Sequence, residues 1–251
     1  MKDLFKDIDK RPLVVASLGG GERLVDSARR ATKLGADLIE IRIDSLKPKE
    51  RANIHEILSA VKEITPCPLI ATARRSKEQG PEASASRLDE SERTILFEKS
   101  LPLADWIDLE IEADETARRA MILARELGKI VILSYHDFKG IPSEGKVLKL
   151  RSEFKKRGGD VLKIAGMAKS DADVIQLLQM CRSAKNLKRT FIAMGELGRI
   201  SRAAGFLFGS CLTYGYVNKP TAPGQLSVSE IVELCRLFYP SYRTTKKRSL
   251  D

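Results

Sequence analysis

The chain has 251 residues, long for an average domain but suited to one domain with a core large enough to need no disulfide or metal. A hydrophobic fraction of 43%, a charged fraction of 31% and the lack of an apolar run near the roughly 18 residues of a membrane span exclude a membrane protein. The formal net charge of +10 permits anionic substrates or nucleic acid, but the basic residues are scattered without interleaved aromatic residues, which disfavours nucleic acid. The first seven residues carry acids where a signal peptide carries bases, so we expect a cytoplasmic protein without a membrane partner.

Eight short runs of apolar and β-branched residues predict eight β-strands. In chain order they are Leu13–Leu18, Asp37–Arg42, Leu69–Arg74, Trp106–Ile111, Ile130–Tyr135, Val161–Ala165, Thr190–Met194 and Leu212–Val217. Longer stretches of helical periodicity lie between them, and this alternation favours a parallel sheet with crossover helices. Eight such units in this length favour a (β/α)₈ TIM barrel over an open sheet. We therefore predict a single α/β domain for residues 1–251.

The helical stretches carry apolar residues three and four positions apart, with recognisable start and stop signals. Ser170 is a predicted N-cap, and Ser227 with Glu230 forms a capping-box pattern. The apolar stripes lie within Ile54–Val61, Ala117–Ala124, Val174–Cys181 and Ile231–Phe238. The glycines expected to end helices are Gly35, Gly128 and Gly158.

Two polar segments are predicted to lie outside these elements. Ser76–Ser86, which contains a Gly-Pro pair, is interpreted as a long mobile loop after the third strand. Residues 243–251 hold the densest basic run and are interpreted as a flexible tail, not as an arm that binds nucleic acid.

The cysteines and histidines are too few and too scattered for a metal centre. No C-x-x-C pair occurs, so we expect reduced cysteines that pack in the core. The residues concerned are Cys67, Cys181, Cys211, Cys235, His55 and His136.

Polar residues at the carboxyl ends of the strands are the first candidates for a site, because barrel enzymes place their active sites there. Residues two apart on a strand share a face, so Glu40 and Arg42 are expected to point together into the barrel mouth. The other candidates at strand ends are Arg74, Asp108, Glu110, Ser134, His136, Lys163 and Met194.

Lys163 stands out because every neighbour in Val161–Ala165 is apolar. A lysine with an ordinary pKa of about 10.4 is protonated at neutral pH, whereas burial and nearby cations favour the neutral amine. A neutral amine can attack a ketone and form a Schiff base. The alternative is a structural lysine that reaches solvent or pairs with a barrel carboxylate such as Glu40. This segment alone leaves both interpretations open.

His136 ends the fifth strand, and an imidazole that titrates near neutrality can both remove and return a proton. The alternative is a structural histidine bonded to Asp137 or to the main chain. His55 lies in a helical stretch beside Glu56, where a surface position is expected.

The loop Arg202 to Gln225 supplies further polar groups. An arginine opposite a hydroxyl and an amide suits a carboxylate and sugar-like hydroxyls. The alternative is an arginine on a helix surface and a Pro-Gly turn capped by a polar residue. The glycine run at positions 19–21 is not followed by G-K-[ST], so we interpret it as a tight turn and not as a phosphate loop.

Six motifs, in order from the second strand to the eighth, resemble those of type I 3-dehydroquinate dehydratases. Each is weak alone, but all six in the same order make a specific match. They are Glu40-x-Arg42, Thr72-x-Arg74, Ser134-Tyr135-His136-Asp137-Phe138, Lys163-Ile164-Ala165, Met194-Gly195-x-x-Gly198-x-x-Ser201-Arg202 and Ala222-Pro223-Gly224-Gln225.

The resemblance implies a hydro-lyase that converts 3-dehydroquinate to 3-dehydroshikimate through a lysine Schiff base, in the shikimate pathway to aromatic amino acids. It implies Lys163 as the Schiff-base lysine, His136 as the general acid and base, and Glu78 as the acid that assists the histidine. The implied substrate-binding residues are Ser17, Glu40, Arg42, Arg74, Met194, Arg202, Thr221 and Gln225. It implies no metal and no organic cofactor, and a homodimer is expected.

Two positions depart from the family pattern. Thr221 stands where serine is usual, so the hydroxyl is kept and a methyl group is added to the pocket. Tyr214 stands where phenylalanine is common, and the sequence assigns it no function.

Two other functions remain open from the residues alone. A class I aldolase would use the same kind of lysine, but it needs a phosphate site after strands seven and eight, which Ala222–Gln225 does not resemble. A basic RNA-binding protein would show an affinity that falls steeply with salt, and the scattered charge does not favour it.

Overall fold

The computed structural model describes residues 2–6, 8–21, 23–75, 78, 88–112 and 115–242. The strands are β1 (Leu13–Leu18), β2 (Leu38–Arg42), β3 (Leu69–Thr72), β4 (Trp106–Glu110), β5 (Ile130–Asp137), β6 (Val161–Met167), β7 (Arg189–Met194) and β8 (Leu212–Tyr216). The helices are α1 (Lys2–Lys6), α2 (Leu24–Leu34), α3 (Pro48–Ala52), α4 (Ile54–Ile64), α5 (Glu90–Ser100), α6 (Glu115–Glu126), α7 (Glu144–Arg157), α8 (Asp171–Ser183), α9 (Arg199–Ala204) and α10 (Val228–Phe238). Short 3₁₀ turns occur at Ile43–Ser45 and Gly205–Phe208.

The strands form one parallel sheet, in the order β7-β6-β5-β4-β3-β2-β1-β8, which curls into a nearly closed barrel. Between β7 and β8 the contact is narrower than elsewhere, with a bridge between Arg189 and Ser210. A side chain adds a further hydrogen bond between these two strands, because the Leu212 main-chain N–H donates to Thr190 Oγ1 at 2.9 Å. The prediction of a single-domain (β/α)₈ barrel is confirmed, and each strand bound lies within about two residues of its prediction.

Alternate residues of each strand face the barrel interior, and their chemistry changes along the barrel axis. The apolar floor at the amino-terminal end comprises Leu13, Leu38, Ile70, Trp106, Ile132, Val161 and Leu212. Two residues further along their strands, Glu40, Asp108 and Lys163 also point inward and are at most 5% exposed. The barrel therefore presents a charged layer above an apolar floor.

The helices begin and end where the sequence signals predict. The side chain of Ser170 accepts from Asp173 N at the start of α8, and Ser227 with Glu230 forms a capping box at the start of α10. Gly35 and other predicted stop glycines have positive φ, 94° at Gly35, which lets the chain reverse after α2. The apolar stripes of these helices pack on the outward faces of the strands and form the core outside the barrel.

Some predictions differ from the structure. Arg202 lies on the short helix α9, not in a loop, because six residues give too little periodicity to recognise. Phe238, placed in the apolar stripe of α10, is 58% exposed, since the last turn of the helix extends beyond the sheet. β5 extends two residues beyond the predicted Tyr135, to Asp137, so His136 is its penultimate residue.

Several other predictions concern composition and outlying segments. The predicted loop Ser76–Ser86 lies outside the described residues apart from Glu78, and the predicted tail at 243–251 lies outside them entirely. The four cysteines are free thiols, as predicted. None of the described helices combines the length and apolar character that a membrane crossing requires.

Candidate active site

A cavity of about 350 Å³ opens at the carboxyl ends of the strands, above the apolar floor. All the residues that the family resemblance implies for the site contribute to its wall. These are Ser17, Glu40, Arg42, Arg74, Glu78, His136, Lys163, Met194, Arg202, Thr221 and Gln225. The other strand-end candidates, Asp108, Glu110 and Ser134, are buried and are not among its wall residues. The expectation that Glu40 and Arg42 point together into the barrel mouth is thus confirmed.

Lys163 reaches the cavity from β6, with its amine held between acidic and aromatic groups. Its Nζ donates to Asp108 Oδ2 at 2.8 Å and lies 3.7 Å from Glu40 Oε1. The same nitrogen lies 4.0 Å from the centroid of the Tyr214 ring, which adds a cation–π contact. The sequence suggested Glu40 as a partner of the lysine, whereas the structure places Asp108 closer.

Asp108 connects the lysine to an arginine on the neighbouring strand. Arg74 Nη2 donates to Asp108 Oδ1 at 2.9 Å, and the Ser134 hydroxyl donates to the same oxygen at 2.5 Å. Burial raises the pKa of the Asp108 carboxyl, but the charges of Arg74 and Lys163 outweigh burial, so its pKa is lowered overall. The carboxylate therefore stays charged between two cations.

His136 lies beside the same cations, with its side chain 12% exposed. Burial lowers the pKa of its imidazole well below the ordinary value, and the charges of Arg74 and Lys163 lower it further. Its Nδ1 lies 3.4 Å from Glu78 Oε2, and Glu78 is itself held by Arg75 Nη2 at 2.8 Å. The imidazole is thus neutral at physiological pH and able to accept a proton. The suggested bond from His136 to Asp137 is replaced by this contact with Glu78.

A chain of hydroxyl and amide groups connects β1, β2 and the loop after β8. Ser17 donates to Glu40, and Thr221 Oγ1 donates to Ser17 Oγ at 3.1 Å. Gln225 Oε1 accepts from the main-chain nitrogen of Thr221 at 2.7 Å and lies 3.1 Å from the Thr221 hydroxyl, whose one hydrogen it shares with Ser17. The Thr221 hydroxyl thus takes part in the network, and within the described residues the orientation of Gln225 leaves its amide nitrogen for a ligand.

Arg202 enters the cavity from α9 with no carboxylate partner among the described residues. Its guanidinium donates instead to the main-chain oxygens of Gly224, Tyr214 and Pro223, at 3.1, 3.2 and 3.5 Å. Burial lowers the pKa of Arg202 to about 10, so the group is still charged at neutral pH. A buried cation without a counter-charge suits an anionic ligand.

Arg42 lies on the opposite side of the cavity and is already paired. Its Nε and Nη2 donate to Asp44 at 3.1 and 2.7 Å. Although burial lowers the pKa of Arg42, the Asp44 charge raises it overall. Arg42 thus remains a fixed cation at the cavity wall, with part of its hydrogen-bonding capacity in use.

Two residues that contact the Lys163 amine were given no role from the sequence. Asp108 was a candidate only as a polar residue on its strand, and Tyr214 was noted only as an unusual residue for its position. The inward parity of Asp108 with Trp106 and Glu110 was the signal that could have identified it. No comparable signal marked Tyr214, whose neighbours are mixed in character.

The combination of groups limits the chemistry of this cavity. A primary amine, a neutral imidazole and a guanidinium with no counter-charge among the described residues suit covalent catalysis on a small anionic carbonyl compound. Among the described residues, no group of three or more histidine, cysteine, aspartate or glutamate side chains is arranged to hold a metal ion.

Comparisons with known proteins agree with this chemistry. The model of the family described as type I 3-dehydroquinase matches residues 14–241. A 3-dehydroquinate dehydratase of Hydrogenobaculum sp. (strain Y04AAS1) is 39% identical over 206 residues, which covers 81% of this chain and 89% of that protein. Another, of Methanocella arvoryzae, is 34% identical over 230 residues, 92% of this chain and 98% of that protein. The crystal structure of 3-dehydroquinate dehydratase from Geobacillus kaustophilus HTA426 superposes with a TM-score of 0.84 at 26% identity, covering 92% of this chain and 93% of that one.

Proposed function

Because the chain belongs to the type I 3-dehydroquinase family, we propose that it removes water from 3-dehydroquinate to give 3-dehydroshikimate through a Schiff base on Lys163. The reaction would be a step of the shikimate pathway to aromatic amino acids. The observation that carries the proposal is the buried Lys163 amine, which shares one cavity with the neutral His136 imidazole. The same family match favours the dehydratase over a class I aldolase or an RNA-binding protein.

Lys163 would first give up a proton to solvent, because an ammonium group has no lone pair with which to attack a carbonyl carbon. The amine then adds to the C3 ketone. The hydroxyl of the addition intermediate takes a proton back from solvent and leaves as water, and an iminium ion remains. The iminium draws electrons from C2 and makes its protons acidic. Because Asp108 and Tyr214 both contact Nζ, they would remain beside a cationic nitrogen after the iminium has formed.

His136 would act twice in the proposed reaction. The neutral imidazole removes a C2 proton, and the resulting enamine expels the C1 hydroxyl. That hydroxyl takes a proton from the same imidazolium and leaves as water. A well-placed acid and base of this kind contributes about 10²–10⁴-fold. Addition of water to the remaining iminium releases 3-dehydroshikimate and restores the Lys163 amine.

The other wall residues would bind the substrate without reacting. Arg202, with Gln225 nearby, would hold the carboxylate, since its guanidinium has no counter-charge among the described residues. Glu40, Arg42 and Arg74 would order the ring hydroxyls from the opposite strands. Ser17, Thr221 and Met194 would complete the pocket, and Glu78 would orient His136.

Borohydride trapping tests the proposal directly. Borohydride added during turnover should reduce the iminium to a secondary amine, inactivate the enzyme irreversibly and leave one adduct on Lys163 in peptide mass analysis. Lys163→Ala should show no adduct and no dehydration. Its fold should survive, because Asp108 still accepts hydrogen bonds from Arg74 and Ser134. Lys219→Ala is the matched control, because Lys219 also lines the cavity. An active enzyme without an adduct would contradict the Schiff base.

His136→Ala separates imine formation from proton transfer. Lys163 should still condense with the ketone, so covalent adduct should accumulate while turnover falls by about 10²–10⁴-fold. Ultraviolet absorbance of the conjugated product and intact-protein mass would measure the two quantities together. Turnover at the wild-type rate would remove His136 from the mechanism.

The expected cytoplasmic location and homodimer belong to the same proposal and are supported by the family resemblance. Light scattering on the purified protein would test the homodimer, since a mass near twice the 27.9 kDa of the chain is expected. A monomer at micromolar concentration would contradict it.

A further inference from the structure

Tyr214 carries a buried hydroxyl that the proposed reaction does not use. The side chain extends inward from β8, lines the cavity and is 4% exposed. Among the residues that the structure describes, its hydroxyl oxygen has no hydrogen-bond partner. Tyr239 is equally buried, yet its hydroxyl donates to the main-chain oxygen of Ala203. Since buried polar groups are normally satisfied, the unpaired hydroxyl of Tyr214 needs an explanation.

The hydroxyl keeps its proton near neutral pH and can therefore donate a hydrogen bond. Burial raises the pKa of Tyr214 well above its ordinary value, and the charges of Glu40 and Asp108 raise it further. Both carboxylates are engaged elsewhere, Glu40 with the hydroxyls of Ser17 and Thr72 and Asp108 with Lys163. Within the described part of the chain, the Tyr214 hydroxyl thus has two carboxylates nearby but no acceptor within hydrogen-bonding distance.

The position of the ring limits where a ligand acceptor can lie. Lys163 Nζ lies 4.0 Å from the ring centroid, so any carbon that becomes bonded to Nζ is also held close to this tyrosine. The substrate oxygen nearest to that carbon is the one it carries, first as the ketone and then as the hydroxyl of the addition intermediate. In the proposed function, Arg202 binds the substrate carboxylate, and residues of β2 and the loop after β3 bind the ring hydroxyls. His136 transfers protons at C2 and at the C1 hydroxyl.

We propose that Tyr214 is a further substrate-contacting residue, whose hydroxyl donates a hydrogen bond to the oxygen on the carbon that Lys163 attacks. This inference rests on the proposed function. The hydrogen bond withdraws electron density from the carbonyl carbon and favours addition of the amine, while Tyr214 keeps its proton throughout. The aromatic ring contributes separately, because it holds the cationic nitrogen of Lys163 before and after the iminium forms.

Tyr214→Phe isolates the hydroxyl, because the ring and its contact with Lys163 are kept. Rapid quenching with borohydride during a single turnover of 3-dehydroquinate would give the rate of adduct formation. We expect this rate and kcat/KM to fall about 2- to 10-fold, the range of one neutral hydrogen bond. The melting temperature of the ligand-free variant should be unchanged or higher, since no hydrogen bond is lost.

Tyr242→Phe is the matched control, because Tyr242 is also fully buried but does not line the cavity. Its rate of adduct formation should equal that of the wild type. Equal adduct rates in wild type and Tyr214→Phe would overturn the inference and leave the proposed function intact. Wild-type enzyme without a trapped adduct would overturn both. A Tyr214→Phe variant that melts lower and forms adduct at the wild-type rate would assign the hydroxyl a structural role.

Discussion

His136 and Asp108 share one buried environment but keep different ionisation states. Burial alone favours the neutral form of both groups. For His136, the charges of Arg74 and Lys163 act in the same direction as burial, so the pKa of the imidazole is lowered. For Asp108, the same two charges oppose burial and outweigh it. The charges of Arg74 and Lys163 thus keep Asp108 ionised. The same charges keep the His136 imidazole neutral, so that it can accept a proton.

The lowered pKa of His136 sets the pH dependence of the reaction. We expect the acid limb of kcat/KM to lie below pH 6.5, the ordinary value for histidine, because the free imidazole stays neutral to lower pH. A steady-state pH profile measures this limb, and NMR titration of the imidazole C–H signals assigns it. His55→Gln is the control and should keep the wild-type profile, since His55 is exposed on α4. An acid limb at or above pH 6.5 that follows the His136 signals would contradict the expectation.

The same shift links the protonation of His136 to folding. At pH values below 6.5 the unfolded chain binds a proton at this position, whereas the folded protein does not until its own lower pKa is reached. The contribution of His136 to stability is therefore present above pH 6.5 and is lost as the pH falls towards the folded pKa. Denaturant unfolding of wild type and His136→Gln at pH 7.5 and pH 5.5 would measure it, and the loss should be smaller in the variant.

Arg202 is expected to hold an anion that lysine cannot hold equally well. Arg202→Lys should raise KM by an amount equivalent to about 1.5–3 kcal/mol, roughly 10- to 150-fold, because a lysine cannot form the bidentate contact. Some stability should also be lost, since the guanidinium donates to three main-chain oxygens. Arg199→Lys, on an exposed position of the same helix, should leave KM unchanged. An unchanged KM with lower stability in Arg202→Lys would make the arginine structural.

The sequence revealed Lys163 and His136 more easily than Asp108. A lysine within an apolar strand is conspicuous, and motif order supported both residues. The contact between Lys163 and Asp108 joins β6 to β4 across the barrel interior, over 55 residues of sequence and past the intervening β5. Strand periodicity predicts which residues point inward, but not which of them meet across the barrel.

At the scale of elements, strands were predicted better than short helices. Every residue of β1 and β4 is buried, and such strands are rich in apolar and β-branched residues, with polar residues towards their carboxyl ends. The helices α3 and α9 have five and six residues, which is less than two turns, and so neither shows a repeating apolar stripe. Arg202 was consequently assigned to a loop, although its role as a wall residue did not depend on that assignment.

Gly224 determines how closely the loops after β7 and β8 approach each other. Its φ is +67°, and a Cβ atom there would lie 2.0 Å from the Gly195 oxygen. Gly224→Ala should therefore lower stability by more than about 1 kcal/mol and raise KM, because the Gly224 oxygen accepts from Arg202 Nε. Denaturant unfolding and steady-state kinetics would measure both effects.

A glycine elsewhere provides the control for that substitution. Gly145 lies near the start of α7, where an added Cβ would meet no atom within 4 Å. Gly145→Ala should raise stability by about 0.5–1 kcal/mol and leave KM unchanged. If both alanine variants left KM unchanged, the contact between the two loops would have no part in substrate binding.

At the scale of the whole molecule, the described chain ends in a packed residue. Tyr242 is fully buried in the core outside the barrel, and the guanidinium of Arg11 lies 5.3 Å from its ring centroid. Arg11 is in turn paired with Asp37 at 2.9 Å, and Asp37 accepts from Val14 N on β1. Through Arg11 and Asp37, Tyr242 thus connects the end of the described chain to the starts of β1 and β2.

Because Tyr242 is packed in the core, its substitution and the deletion of the residues that follow it should have different effects. Deletion of residues 243–251 should leave activity within a few-fold, because every described residue that lines the cavity precedes Tyr242. Tyr242→Ala in the full chain should instead lower the unfolding free energy by about 3–5 kcal/mol, the usual loss for a large buried aromatic side chain. Its kcat/KM should stay near the wild-type value while it is folded. Activity assays and denaturant unfolding of both variants would measure these effects, and a folded deletion variant without activity would show that the tail reaches the site.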